Sequence, residues 1–323
     1  MQLTSVVTPL TDENLARVAQ LGVSSVAIRY PGPRREDWLA IKSRFAKFGL
    51  SIAAVEGELP IQNAILGTAD SAQDLACMKQ LLANMGAAEI GVCCYNFMPA
   101  TDWARTSTQT AERGGAWTTA FRLADVEQAA SLHNVSGDLD VAPLSAPQLW
   151  GNLETFLTEL LPTAEKEGIA LAMHPDDPPL SAFGKHARIM NRIDDFERLM
   201  RFSASPSNGI CFCQGTFAAM GVDVPAAIRT LGDRIRYVHF RDSRGAADDF
   251  VETFHDNGPT DMVAAMHAYR EIGFQGPIRP DHVPQLAGEE AGDPGYTMLA
   301  RYYAFGYIRA LLQAAEYGLQ SRS

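Results

Sequence analysis

GFQGPIRPDHVP, from Gly273 to Pro284, with Gly295-Tyr296 shortly after it, crowds a cation, a carboxylate, an imidazole and a phenol into a short span: Arg279, Asp281, His282 and Tyr296. Pro277 and Pro280 bracket the set, and each locks φ and removes a backbone donor, so an ordinary helix is excluded there. GPIRPD therefore reads as a short strand with reactive residues at its C-terminal mouth. Upstream, seven more apolar runs alternate with amphipathic segments. The runs are LTSVVTPL, SSVAIRY, LSIAAVE, AEIGVCCYNF, IALAMHPDDPP, NGICFCQGT and IRYVHFRD. Between them lie helical patterns: TDENLARVAQLG with Thr11 or Asp12 as cap, Asp37–Phe48, SAQDLACMKQLLANMG ending at Gly86, Pro147–Glu167, IDDFERLMRFS, VPAAIRTLG and Asp261–Ile272. A long helix over Tyr296–Tyr317 closes the chain. Eight strand–helix units without a solenoid period predict an α/β fold, a (β/α)8 TIM barrel. No GxGxxG follows an early strand, which argues against a doubly wound sheet. Residues 1–323 read as a single domain with one long insertion after strand four, about residues 98–146. Connections of that length in compact domains are usually lids or small excursions.

Composition narrows the function. A formal charge of −11 across 323 residues disfavours nucleic acid and anionic membranes as partners, since both reward basic patches. No apolar run approaches the ~20 residues of a membrane span. The start MQLTSVVTPL lacks a signal peptide's basic and apolar regions. Five cysteines, an odd number with two near-adjacent pairs, fit reduced thiols and a cytoplasmic location.

In a barrel the C-terminal ends of the strands converge on one face, where such enzymes keep their sites. His174 follows IALAM, Cys213 follows GICF, His239 follows IRYV and Asp281 follows GPIRP, so four residues distant in sequence become neighbours. Imidazole, thiolate and carboxylate are divalent-metal donors. Side-chain alternation puts Tyr237, His239 and Arg241 on one face, and it leaves Cys211 and Cys213 equivalent. Cys213 is nearer the mouth. Cys93 and Cys94 read as packing residues, His186 as part of a flexible loop, and His133 and His267 as solvated. Asp176 and Asp177 read either as partners of the site or as turn caps.

With these segments laid out, the chain resembles the mannonate dehydratase family. The resemblance rests on CYNFMPATDWART (Cys94–Thr106), HPDDPP (His174–Pro179), CQGT (Cys213–Thr216), VHFRD (Val238–Asp242), ETFHDNGPTDM (Glu252–Met262), GFQGPIRPDHVP and PGYTMLARYYAFGYIRALL (Pro294–Leu312). It implies a xylose-isomerase-like barrel holding Mn2+, with Fe2+ or another divalent transition metal as substitute, on His174, Cys213, His239 and Asp281. It also implies catalytic roles for His282 and Tyr296, with Arg279 at the substrate, and dehydration of D-mannonate to 2-keto-3-deoxy-gluconate in hexuronate breakdown. Arg241, Asn96 and His255 join Arg279 as candidate substrate contacts. The first ~90 residues diverge from the family pattern, and FGKHARI replaces the usual FGLPRI, bringing in Lys185 and His186. That loop motivates an alternative on the same barrel, a metal-dependent isomerase or epimerase of a sugar or acid sugar. A non-catalytic sugar-acid binder is the third class, disfavoured because a binder has no need of an acid–base pair. The expected partner is a small acid sugar, and the expected assembly a homodimer or larger.

Overall fold

Each of the eight apolar runs supplies a barrel strand: Gln2–Ser5, Ser25–Ile28, Ser51–Glu56, Val92–Tyr95, Ala170–Met173, Asn208–Cys213, Ile235–Phe240 and Pro277–Pro280. The computed structural model describes residues 1–99, 103–127 and 142–320. All eight strands are parallel, and the first pairs with both the second and the eighth, which closes the barrel. Strand alternation sorts the side chains. Leu171, Ile210, Phe212, Val238 and Ile278 face the helices in the main core. Ala27, Ala54, Val92, Cys94, Ala172, Cys211 and Tyr237 fill the barrel interior. Cys93 and Cys94 therefore part company: Cys93 packs in the outer core, and Cys94 is an interior residue.

Local chemistry explains the helix boundaries. Thr11, not Asp12, caps the first helix, accepting from the Asn14 amide at 3.1 Å. Ser145 and Gln148 form a capping box at the head of Ala146–Glu167. The helix expected to stop at Gly86 runs on to Ala88, and Glu89 takes the left-handed turn at φ 62°. Gly86 serves packing instead, because a Cβ there would fall 2.5 Å from a Glu167 carboxylate oxygen. CQGT is not strand throughout: a helix, Gln214–Ala219, begins directly after Cys213.

The insertion contributes something periodicity does not reveal. Ser107–Ala111 and Trp117–Arg122 form an antiparallel hairpin, and its second strand pairs with Asp249–Glu252. That strand in turn pairs with Ser243–Ala246, both lying in the loop after the seventh barrel strand. Two loops far apart in sequence thus build one four-stranded sheet, tied to the last stretch by a bridge between Trp117 and Gln285. His133 lies outside the described residues. No helix among the described residues is long and apolar enough to cross a membrane.

Candidate active site

Register brings the donors together. On adjacent strands Cys213 is level with His239, and His239 with Arg279, so Asp281 projects one step beyond that row. Asp281 Oδ2 lies 3.7 Å from Cys213 Sγ and 3.7 Å from His239 Nδ1. His174, Cys213 and His239 offer ligand atoms that all lie within 4.8 Å of one another. His239 Nδ1 is buried and makes no sound hydrogen bond of its own, facing Asp281 instead. A buried imidazole nitrogen without a partner, beside a thiol and a carboxylate, is the donor arrangement a divalent cation satisfies. The residues present fit a metal.

The electrostatics agree. Burial opposes ionisation of Cys213, but the Arg241 guanidinium and the His174 and His239 imidazoles hold its thiol well below the ordinary value. Burial likewise opposes the charge on Asp281, and His282, Arg279, His239 and Arg241 outweigh it. Arg241 Nε donates to Asp281 Oδ2 and Arg279 Nη1 to Oδ1, both at 2.8 Å, so the carboxylate is held from two sides.

Beside this cluster lie His282 and Tyr296. His282 Nε2 and the Tyr296 hydroxyl are 3.1 Å apart, and Glu252 Oε1 sits 2.7 Å from His282 Nδ1. The Trp103 ring packs 4.8 Å from the imidazole, centroid to centroid. Burial, with Asp281 nearby, pushes the Tyr296 phenol up to about 12. A cavity of about 740 Å3 opens onto this face. His174, His239, Asp281, His282, Tyr296 and Asn96 are among the residues that line it.

The remaining expected contacts are placed differently. Arg279 reaches the cavity, but its guanidinium is engaged by Glu56 at 2.9 Å, by the Tyr237 hydroxyl and by Asp281. Arg241 is buried beneath the wall, donating to Asp281, Asp177 and Thr216. His255, expected to close over a ligand, is instead stacked on Phe240 and is absent from the cavity lining. Burial and Arg301 push its imidazole down to about 4, so it is neutral at pH 7. Asp177 proves to be a partner of the site, accepting from Arg105 at 2.6 and 3.0 Å and from Arg241 at 2.9 Å. Lys185 occupies the turn of a small hairpin between Ala182–Phe183 and Ala187, and His186 on its second strand is buried rather than flexible. No residue from 183 to 189 lines the cavity, so the motive for the isomerase alternative falls away.

Residues that the sequence reading passed over complete the site. Glu56 ends the third barrel strand and accepts from the Tyr237 hydroxyl at 2.9 Å, and its Oε2 lies 3.2 Å from His239 Nε2. It obeys the same strand-end rule as His174, so that rule applied to all eight strands finds it. Arg29, at the end of the second strand, lines the cavity, and its Nη1 donates to the Glu56 carbonyl at 3.3 Å. Glu252 stands at the head of ETFHDNGPTDM, three residues before His255.

Glu252 is built in from every side. Arg105 pairs with its Oε1, Thr119 donates to Oε2 at 2.8 Å, and Arg241 lies 3.3 Å away. Arg105 and Thr119 belong to the insertion, so the capping sheet holds the carboxylate that orients His282. Glu252→Gln is expected to lower kcat about 10²-fold while KM moves by less than about threefold, because the acceptor that orients the imidazole loses its negative charge and the cavity wall is unchanged. Steady-state kinetics reads the split. A rise in KM with kcat unchanged would assign Glu252 to substrate binding instead.

The family model described as D-mannonate dehydratase (UxuA) matches residues 14–322. The chain belongs to the mannonate dehydratase family. It is 34% identical over 298 residues to the mannonate dehydratase of Oceanobacillus iheyensis, covering 86% of this chain and 84% of that one. It is 32% identical over 306 residues to the mannonate dehydratase of Enterococcus faecalis, covering 86% and 85%. The crystal structure of mannonate dehydratase from Streptococcus suis serotype 2 superposes with a TM-score of 0.89 at 28% identity, covering 99% of this chain and 96% of that one. A D-tagatose 3-epimerase-like protein shares the barrel at a TM-score of 0.65 and 13% identity, a likeness of fold alone. The family match reaches into the first third, where no family motif is conspicuous.

Proposed function

We propose that this chain is a metal-dependent hydro-lyase that removes water from D-mannonate to give 2-keto-3-deoxy-gluconate. The observation that carries the reading is one face of the barrel on which His174, Cys213, His239 and Asp281 adjoin a His–Tyr pair, in a chain of this family. His174, Cys213, His239 and Asp281 would hold the cation, Mn2+ in our reading, and Fe2+ or another divalent transition metal would substitute. Bound there, the cation supplies Lewis-acid stabilisation of charge that develops as the proton α to the carboxylate departs.

The protein's own groups do the rest. Glu252 fixes His282 with Nδ1 toward its carboxylate, which turns Nε2 to the substrate as the base for the C2 proton. Tyr296, whose phenol burial pushes up to about 12, is the donor to the leaving C3 hydroxyl. With the two atoms 3.1 Å apart, proton removal and delivery take place on one face of the sugar chain. Arg279 holds Asp281 and Glu56 in place beside the substrate carboxylate, and Asn96 and Arg29 are available to its hydroxyls from the cavity wall. Arg241 and His255 act behind the wall, the first by locking Asp281 and the second by packing. The same reading carries a cytoplasmic location and a homo-oligomer.

Exhaustive chelation is expected to abolish turnover, and added Mn2+ to restore it. Unimpaired dehydration by metal-free protein would overturn the proposal.

A further inference from the structure

Below the donor set lies a second cluster, built on two cysteines that the reaction does not use. Cys94, on the fourth barrel strand, and Cys211, on the sixth, face each other across the barrel interior. The fifth strand stands between them, with Ala172 level with Cys94 and with Gly209, two residues before Cys211. Their sulfurs and the His239 imidazole offer three ligand atoms that all lie within 4.8 Å of one another, and all three residues are buried. The other interior side chains at this depth are Ala27, Ala54, Val92, Ala172 and Tyr237. Cys94 lines the cavity, which gives an ion a way in.

We propose that Cys94, Cys211 and His239 form a separate site for a thiophilic divalent cation. Two sulfurs and one imidazole nitrogen suit Zn2+ or Cd2+, with the fourth tetrahedral position left to water or Glu56, and they do not suit an oxygen-seeking ion such as Mn2+. Binding converts both thiols to thiolates and releases their protons to solvent. His239 is shared. Its Nδ1 faces Asp281, while its Nε2 lies 3.2 Å from Glu56 Oε2. An ion in the barrel floor that draws on the Nε2 side of this ring therefore repels a cation held on its Nδ1 side. The floor site stands on its own geometry. Its power to inhibit rests on the reading of His239 as a ligand of the catalytic metal.

Cd2+ is the probe, titrated into metal-stripped protein and followed by sulfur-to-cadmium charge-transfer absorbance and by bound metal per chain. The wild type is expected to saturate at two Cd2+, with thiolates from Cys94, Cys211 and Cys213 all contributing. The Cys94→Ala/Cys211→Ala double variant is expected to saturate at one, with about a third of the band, since Cys213 alone remains. Cys77→Ala, which removes a thiol outside both clusters, leaves the wild-type result unchanged. With Mn2+ in excess, the double variant is expected to need about tenfold more Zn2+ than the wild type for equal inhibition. Wild type saturating at one Cd2+, with about a third of the expected three-thiolate band, would overturn the site even if the double variant proved unstable. Two Cd2+ bound without the difference in Zn2+ inhibition would keep the site and overturn the sharing of His239.

Discussion

Asp281→Ala is expected to remove bound metal and activity together, lowering turnover by at least about 10³-fold at any practical Mn2+ concentration. Asp281 is the one carboxylate of the donor set, 3.7 Å from both the Cys213 sulfur and His239 Nδ1. It also receives charge-assisted hydrogen bonds from Arg241 and Arg279. Its loss leaves two buried guanidiniums facing a cation without the negative charge that balances them, so metal affinity falls as well as turnover. The measurement is metal content by elemental analysis alongside kinetics. Full metal occupancy in an inactive Asp281→Ala protein would show that the carboxylate serves the chemistry and not the metal. Asp281→Asn, which keeps the shape and one acceptor oxygen, separates loss of charge from loss of packing.

His282→Ala is expected to behave oppositely with respect to metal, retaining the cation while kcat falls about 10²- to 10⁴-fold. The imidazole is the residue next to Asp281, yet its hydrogen bonds run to Glu252 at 2.7 Å and to Tyr296 at 3.1 Å, away from the sulfur and imidazole donors. Adjacent side chains pointing to different targets need a fixed backbone, and Pro280 before them supplies one. Metal content and KM close to wild type, with turnover lost, would support the division of labour. Loss of metal from His282→Ala would merge the two roles.

The barrel was legible because each of its strands is a short apolar run bounded by polar or glycine-rich turns, and periodicity reports that directly. The clustering of His174, Cys213, His239 and Asp281 was legible for the same reason: in a parallel barrel, strand ends meet on one face. The support around it was less so. Glu252 and Arg105 meet through a sheet assembled from two loops about 130 residues apart in sequence, and no periodicity within either loop encodes that pairing. Arg241 illustrates the limit of face arguments. Alternation assigns it the same side as His239, but a long side chain at the barrel rim goes where its partners are, and Asp177 and Asp281 draw it behind the wall. Cys94 and Cys211 show the converse, since only barrel closure brings the interior faces of strands four and six within bonding range of one ion.

The central claim is that this cavity dehydrates D-mannonate, and it is tested most directly by product analysis with D-mannonate and Mn2+. The account predicts a 2-keto-3-deoxy acid lighter than the substrate by one water, formed only with metal present. A product of unchanged mass, or no reaction of D-mannonate with a fully metal-loaded protein, would contradict it.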